Sequence, residues 1–128
     1  MKTEPEYRAM TPSEKGLLLK LLELSFPGST ELRLQLSNAL VSSLGETGSL
    51  FFDVRSELVA PVKHRVPVEA WYSDVDTDPL VGPFVRILLH VVAGKLFELE
   101  IYKDDGSAII KKPMLNELRI FSPDTSDR

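Results

Sequence analysis

The sequence contains no cysteine among its 128 residues. A chain without thiols forms neither disulfides nor a thiolate metal site, and it has no cysteine nucleophile, which is consistent with a reducing cytosol. Its two histidines, His64 and His90, lack the spacing of a zinc site. Glycine-rich dinucleotide loops, Walker sequences and nucleophile elbows are also missing. No motif specifies a reaction, and we expect neither a metal nor another cofactor.

Long apolar runs are lacking as well. The longest ones are too short to span a bilayer, and the first residues, MKTEPEYR, are polar where a secretory signal has an apolar core. The 15 basic residues are outnumbered by 19 acidic ones, giving a net charge of -4. Nucleic acids and anionic membranes attract clustered Lys and Arg, so this balance argues against both and is compatible with a basic protein partner. We expect a cytoplasmic protein.

The size and composition are those of one globular domain. The chain has a mass of 14.3 kDa and is 43% hydrophobic and 27% charged, which suffices for a core without disulfides or metal. We predict a single α+β domain over residues 1–128. Residues 1–6 and 122–128 have little apolar content and are predicted to be loosely ordered tails.

The stretch from 84 to 106, FVRILLHVVAGKLFELEIYKDDG, is the most apolar and most strand-like part of the chain. Alternating apolar residues in both halves predict two β-strands that fold back on each other. One side of this hairpin is predicted to be purely apolar, with Val85, Ile87, Leu89 and Val91 from the first strand and Phe97, Leu99 and Ile101 from the second.

The loop of the hairpin decides which residues face each other. A two-residue loop at Ala93-Gly94 would set Leu89 opposite Glu98, apolar against charged. A three-residue loop that includes Lys95 sets Leu89 opposite Leu99, and we predict this register. The expected pairs are Val91 with Phe97, Leu89 with Leu99 and Ile87 with Ile101 on one face, and His90 with Glu98, Leu88 with Glu100 and Arg86 with Tyr102 on the other.

Two helices are predicted before the strands. Thr11-Pro12-Ser13-Glu14 is a capping box with proline at the first helical position, and the leucines that follow predict a helix to about Leu24. Phe26-Pro27-Gly28 ends this helix. Ser29 or Thr30 is expected to cap a second, shorter helix that places Leu32, Gln35, Leu36 and Ala39 on one side.

Short strands follow the helices. Residues 40–44 suit either a helix extension or a strand, and their composition favours the strand, with a turn at 45–48 and a further strand at 49–54. Strands are also predicted at 66–73 and, as an edge strand, at 108–110, while 115–121 form a last turn or strand. The order predicts an α+β fold: two N-terminal helices packed on one face of a mostly antiparallel, meander-like sheet of about five strands.

The second face of the hairpin collects ionisable residues. His90, Glu98, Glu100, Arg86 and Tyr102 are predicted to lie together there, with Arg86 in reach of Glu100. A histidine beside a carboxylate can act as a general base. Rows of opposite charge are nevertheless ordinary on solvent-facing sheets, and no nucleophile accompanies this one, so we assign no catalytic residue.

Trp71 is the only tryptophan. It alternates with the charged Glu69, so it is either a core residue or an exposed anchor for a partner, because aromatic residues are enriched at binding hot spots. Together with the ionisable face it completes the set of candidate binding residues, which are Glu69, Trp71, Arg86, His90, Glu98, Glu100 and Tyr102.

The segment Asp74-Val75-Asp76-Thr77-Asp78 resembles the opening of a calcium-binding loop. The sixth position of such a loop is glycine and is Pro79 here, and the twelfth is a bidentate glutamate and is Val85 here. We therefore interpret this segment as a solvated loop between strands and assign no metal site.

The segment GKLFELEIYK at 94–103, followed by Asp105-Gly106, resembles the pattern G-x-L-x-E-L-x-I-x-K-x-D-G of a family of small uncharacterised bacterial α+β proteins. The Thr11-Pro12-Ser13-Glu14 opening also fits. The resemblance implies a compact α+β domain and supplies no catalytic residues. Similar small acidic proteins sometimes accompany bacterial toxin systems as immunity partners.

Three functions are compatible with these features. The first is a non-enzymatic binding domain, immunity-like or regulatory, that presents its ionisable sheet face to a basic protein. The second is a small hydrolase or ligand-binding protein that uses His90 and its carboxylates in a cleft. The third is a domain whose sheet edges or faces pair with a second copy as a homodimer.

Overall fold

The computed structural model describes residues 6–75 and 82–124. Within these ranges the chain forms two α-helices, six β-strands and one short 3-10 helix. The helices are α1 (Pro12–Leu21) and α2 (Ser29–Leu36), and the strands are β1 (Ala39–Leu44), β2 (Ser49–Val54), β3 (Val68–Tyr72), β4 (Val85–Val92), β5 (Lys95–Lys103) and β6 (Arg119–Phe121), with the 3-10 helix at Leu115–Glu117.

Helix α1 begins as predicted. The amide of Glu14 donates to Oγ1 of Thr11 over 3.1 Å, and Oε1 of Glu14 accepts from the amide of Thr11 over 2.9 Å. These two bonds close the capping box, and Pro12 occupies the first helical position. The sequence predicts this helix start correctly because the capping residues and their hydrogen-bond partners all lie within four residues of each other.

Helix α1 ends at Leu21, before the predicted end near Leu24. Beyond Leu22 the helical pattern is lost, because the amide of Glu23 donates to the carbonyl of Lys20 over 3.3 Å, three residues back, and not to Leu19, four residues back. The guanidinium of Arg33 in α2 donates to the carbonyl of Leu22, one of the carbonyls that the helix end leaves without an intrahelical partner. A tight last turn therefore ends the first helix, and the second helix satisfies a carbonyl at that end.

Helix α2 has a different N-cap from the one predicted. Gly28 occupies that position with a φ of 98°, a conformation that favours glycine. A Cβ at Gly28 would also lie 2.8 Å from Cγ1 of Val62. Ser29 is inside the first turn, where its Oγ accepts from the amide of Phe26 over 3.5 Å. Neither Ser29 nor Thr30 is the cap, because the close packing against Val62 requires glycine before the helix.

The described strands form one antiparallel sheet in the order β1-β2-β5-β4-β3-β6. The predicted meander is present in β3, β4 and β5, which are consecutive in the sequence and adjacent in the sheet. The hairpin of β1 and β2, which has the predicted turn at 45–48, interrupts the meander because it pairs with the far side of β5. The sheet therefore has one strand more than predicted and a less simple order.

The edge next to β3 is occupied by β6, which lies within the last turn or strand predicted at 115–121. The prediction of an edge strand at 108–110 is wrong. These three residues form no strand. The amide of Ile110 donates to Oδ2 of Asp74 over 2.7 Å, and Nζ of Lys103 lies 3.4 Å from the carbonyl of Ala108. Buried side chains thus take the backbone groups that an edge strand would have offered to a neighbouring strand.

The β4–β5 hairpin turns through two residues rather than the predicted three. Ala93 and Gly94 have φ values of 54° and 76°, as type I′ turns require. Val92 and Lys95 face each other directly across the turn. Lys95 therefore belongs to the strand and not to the loop.

A β-bulge restores the predicted register further along. The register shifts between His90 and Val91, so that Val91 faces Leu96 and Phe97 is the additional residue of β5. The predicted pair of Val91 with Phe97 is therefore wrong. The remaining predicted pairs are present: Leu89 with Leu99, Ile87 with Ile101, His90 with Glu98, Leu88 with Glu100 and Arg86 with Tyr102.

The helices cover one face of the sheet and enclose a single hydrophobic core between the two layers. Its fully buried members include Leu18, Leu21, Leu22, Leu32, Val41, Leu50, Val68, Val85, Ile87, Leu89 and Leu99. The two-layer arrangement confirms the predicted α+β class, because one stripe of each helix and one face of the sheet have only each other to pack against.

Gln35 is a fully buried polar residue that links three parts of the fold. Its Nε2 donates to the carbonyls of Leu58 and Gly94, each over 2.8 Å, and its Oε1 accepts from the amide of Leu96 over 3.0 Å. Since all three bonds go to backbone groups, Gln35 fixes the β4–β5 turn against α2 and the β2–β3 connection.

Candidate binding face of the sheet

We call the side of the sheet that faces away from α1 and α2 the open face. Leu17, Leu18 and Leu21 of α1 and Leu32 and Leu36 of α2 are buried in the core on the opposite side. The strand registers bring all seven candidate binding residues together on the open face, across β3, β4 and β5. The cross-strand rows are Trp71, Arg86 and Tyr102; Glu69, Leu88 and Glu100; and His90 with Glu98.

His90 is hydrogen-bonded through both ring nitrogens. Its Nε2 lies 2.9 Å from Oε1 of Glu100, the diagonal neighbour, rather than bonding to Glu98 directly opposite. Nε of Arg65 donates to Nδ1 over 3.4 Å. Because Arg65 can only donate, Nδ1 is the acceptor and Nε2 carries the proton that Glu100 accepts. The imidazole is thus held between a cation and a carboxylate.

Arg86 pairs with a residue that the sequence did not single out. Its Nε donates to Oδ1 of Asp104 over 2.8 Å, and its NH2 donates to Oδ2 over 3.2 Å. The hydrogen bond from Arg86 lowers the pKa of Asp104. The expected contact with Glu100 is replaced, because Asp104 lies two residues beyond Tyr102 and so returns to the open face. The alternation of side chains along β5 was the sequence signal that could have identified Asp104 as a residue of the open face.

Phe97 lies on the open face, whereas the sequence placed it on the apolar side of the hairpin. The bulge turns it outwards, where it is 41% exposed. Its ring meets that of Phe51 edge-on with centroids 5.9 Å apart, and the guanidinium of Arg65 lies 5.7 Å from its centroid. Trp71 is half-buried on the same face. It is therefore neither a core residue nor a fully exposed anchor, the two alternatives given by its sequence position.

A buried ion pair lies at the end of the sheet on the core side. Nζ of Lys103 is 3.0 Å from Oδ1 and 3.1 Å from Oδ2 of Asp74, and the two side chains are 4% and 0% exposed. Burial alone would raise the pKa of Asp74, but the amide of Ile110 and the Lys103 ammonium outweigh it, so the pKa is lowered. Alternation after Leu99 and Ile101 puts Lys103 on the apolar side, but no local pattern indicates that Asp74, 29 residues away, is its partner.

Tyr72 completes the polar cluster next to this ion pair. Its hydroxyl donates to the carbonyl of Lys111 over 2.7 Å. Burial, with a contribution from the charge of Asp74, raises the pKa of Tyr72 to about 12. Together the ion pair and the hydroxyl hold the segment after β5 against the end of β3.

The calcium-like loop is only partly within the described residues. Asp74, its first carboxylate, points inwards to Lys103, and Asp76 and Asp78 lie outside the described ranges. Among residues 6–75 and 82–124, no group of three or more His, Asp or Glu is arranged to hold a metal ion. His64 has a different partner from His90: its Nε2 lies 3.5 Å from Oδ1 of Asp124.

The fold and the open face define a class: a two-layer α+β domain with a helix-covered sheet whose other side is exposed. A family model for a domain of unknown function, DUF6984, matches residues 7–113. The chain belongs to this family. The match contains α1, α2 and β1 to β5 and ends before β6.

No curated protein and no solved structure matches the chain. In the described part of the structure, no helix is both long and apolar enough to cross a membrane.

Proposed function

We propose that the protein is a cytoplasmic, non-enzymatic binding domain that uses the open face to bind a basic surface of another protein, in an immunity-like or regulatory role. The observation that supports this most directly is the composition of the face. Exposed aromatic rings, which are enriched at protein interfaces, lie beside carboxylates that can attract a basic partner.

The aromatic residues supply contact area. Phe97 and Tyr102 are each 41% exposed and Phe121 is 38% exposed, while Trp71 is half-buried beside them. Such rings contribute strongly to binding when a partner removes them from water, and they lose little conformational freedom. The carboxylates of Glu69, Glu98 and Glu100, which we call the acidic centre, lie on the same face.

The charges favour a basic partner. Glu69 and Glu100 flank Leu88 across the strands. Arg86, the cation next to them, is already neutralised by Asp104. Neither Glu69 nor Glu98 is in a salt bridge with any residue in the described ranges. Unpaired carboxylates of this kind steer a cationic surface and speed its encounter.

The ion pairs of the face also fix its side chains before a partner arrives. Arg86 is held by two hydrogen bonds to Asp104, and His90 is held between Arg65 and Glu100. A side chain that is already ordered loses less entropy on binding. This arrangement favours recognition by a preformed surface.

The alternative, a small hydrolase, requires His90 to accept a proton from a substrate or a water in a cleft. His90 lies instead on the open face, and its acceptor nitrogen is occupied by Arg65. The geometry therefore favours protein binding over general-base chemistry.

A charge-reversal experiment tests the proposal. The variant Glu69→Lys/Glu98→Lys reverses the acidic centre, and Glu46→Lys/Glu57→Lys makes the same charge change at two exposed residues away from it. We expect one protein from the source cell to be retained stoichiometrically by wild type and by the control. The face variant should retain it roughly tenfold less, a difference of about 1.4 kcal/mol.

Quantitative mass spectrometry of the retained proteins gives the measurement, and circular dichroism establishes that all three chains are folded. A retained set that is identical for the face variant and the control would show that the open face is not the binding surface. Retention that does not weaken as salt rises would exclude the electrostatic part of the proposal.

A further inference from the structure

The outer edge of β3 is covered by a short strand near the C-terminus of the chain. β6 has only three residues, and it pairs Phe121 with Glu69, Ile120 with Ala70 and Arg119 with Trp71. Arg119 and Phe121 are exposed, and Ile120 packs partly against the core. This three-residue pairing defines what the β3 edge accepts: an extended segment with one inward aliphatic residue between two outward side chains.

The segment that contains β6 lies outside the region shared with the family. The family match ends at residue 113, where β3 would otherwise be the edge strand of the domain. Residues 111, 112 and 114–117 are all exposed, and Pro113 is half-buried among them. This stretch connects β6 to Lys111, whose carbonyl is bonded to Tyr72. Because the stretch is mostly exposed and lies between the anchored Lys111 and β6, it can act as the hinge of an exchange.

We infer that the outer edge of β3 is a strand-acceptor site, and that β6 of a second copy can take the place of the chain's own β6. Two copies would then exchange residues 114–124 reciprocally. The inference does not depend on the proposed function, since it concerns the sheet edge rather than the open face.

The chain itself supplies the reason for choosing a second copy as the occupant. The segment known to fit this edge is residues 119–121, and every copy carries it with the same register. An exchanged dimer repeats the contacts of the monomer, so it differs mainly in the entropy of association and in the hinge. A higher protein concentration therefore favours the exchanged dimer over the monomer.

Engineered cysteines test the exchange without interference, because the chain has no cysteine. The variants Glu69→Cys and Phe121→Cys place thiols at facing positions of β3 and β6. The two single variants are mixed, incubated at high concentration and treated with a short thiol-to-thiol crosslinker. We expect a covalent dimer joining position 69 of one chain to position 121 of the other.

The law of mass action predicts how the yield of the crosslinked dimer depends on protein concentration. At low conversion the yield of the 69–121 dimer should rise roughly fourfold for each doubling of the total protein concentration. A matched mixture of Glu46→Cys and Phe121→Cys, with the first thiol in the β1–β2 turn, should give no more dimer than random collision.

The double variant Glu69→Cys/Phe121→Cys in one chain is the internal standard, since it crosslinks within the monomer when β6 docks on its own β3. If this variant crosslinks internally while the mixture of single variants yields no 69–121 dimer above the Glu46→Cys control at any concentration, the exchange does not occur. A mixture that gives mainly 69–69 dimers would also overturn the inference, because the copies would then meet through another surface.

Discussion

Two charged side chains, Asp74 and Lys103, are buried together at the end of the sheet. The attraction between such groups is strong in a poorly solvated site, but so is the cost of removing each from water. The net contribution of the ion pair to the stability of the fold is therefore modest while both charges are present. When one partner is removed, the other charge stays buried without compensation, and the stability falls by the cost of removing it from water.

Replacing Lys103 by Met should lower the free energy of unfolding by about 3–5 kcal/mol, because the carboxylate of Asp74 would remain buried without its cation. The double variant Asp74→Asn/Lys103→Met should regain much of this loss, since asparagine keeps an oxygen for the amide of Ile110. Urea unfolding followed by circular dichroism measures both. A loss of less than about 1 kcal/mol in the single variant, as for a surface pair, would contradict the buried ion pair.

Tyr72 makes a second prediction at this scale, for alkaline conditions. Its pKa is about 12 in the folded protein and about 10 in an unfolded chain. Between these pH values the unfolded chain has lost the phenolic proton while the folded protein keeps it. Stability is therefore complete below about pH 10 and declines as the pH rises towards 12.

The decline attributable to Tyr72 should reach about 2–3 kcal/mol near pH 12. Tyr72→Phe loses one hydrogen bond, at a cost of about 0.5–1.5 kcal/mol at neutral pH, but it should lack this part of the decline. Urea unfolding of both proteins at neutral pH and at about pH 11 gives the comparison. Equal slopes against pH would show that burial of the hydroxyl does not perturb its ionisation.

At the scale of elements, the β4–β5 hairpin determines how the open face is built. Its two-residue turn would by itself place apolar residues opposite charged ones. The bulge at Phe97 adds one residue to β5 and corrects the register for the rest of the ladder. It also moves an aromatic ring from the core side to the open face.

The two turn residues should respond to substitution with opposite signs. Ala93 has a φ of 54°, which is unfavourable for alanine, so Ala93→Asn should stabilise the protein by about 0.5–1 kcal/mol. Gly94→Ala should cost more than about 1 kcal/mol. A Cβ there would lie 2.2 Å from Cγ1 of Val59 and 3.0 Å from the carbonyl oxygen of Ala60. Thermal unfolding compares the two. Stabilisation by Gly94→Ala would contradict the packing of this turn.

At the scale of the whole molecule, chain segments from both ends cover the edges of the sheet. Arg8 pairs with Val41 of β1 through two backbone bonds of 2.8 Å, and its guanidinium binds Glu14 and Ser43. β6 covers the edge of β3. Uncovered edges invite pairing with other chains, so these segments limit where a second copy can add.

Acid should unfold the protein through carboxylates placed across the molecule. Hydrogen bonds from Arg8 and Arg86 lower the pKa values of Glu14 and Asp104 respectively. A carboxylate with a lowered pKa stabilises the fold above its unfolded value of about 4, and this stability is lost as the pH falls further. Glu14→Gln/Asp104→Asn should therefore show a smaller drop in melting temperature between about pH 7 and pH 3 than wild type.

The control for this acid prediction is Glu46→Gln, at an exposed turn residue without a salt bridge to any described residue. It should follow wild type over the whole pH range. A double variant whose melting temperature falls as steeply as that of wild type would show that these ion pairs do not contribute to acid sensitivity.

Much of the candidate face could be predicted from the sequence. Side chains alternate along a strand, so Arg86 and His90 had to share one face, as did Glu98, Glu100 and Tyr102. The apolar alternation also fixed the register, because the wrong one would have buried charges. The partners within the face were not predictable, because alternation does not determine which neighbour a side chain bonds. His90 bonds to Glu100 and Arg65, and Arg86 bonds to Asp104.

The sequence by itself determined the features whose partners are close along the chain: the capping box of α1, the alternation of the strands and the apolar side of the sheet. Tertiary structure decided the others. Arg33 binds the carbonyl of Leu22 at the end of α1, and Val62 packs so closely that glycine is required at position 28. Asp74 pairs with the buried Lys103, and β6 rather than residues 108–110 forms an edge strand. Each of these depends on a contact between distant segments, and local patterns carry no information about which segments meet.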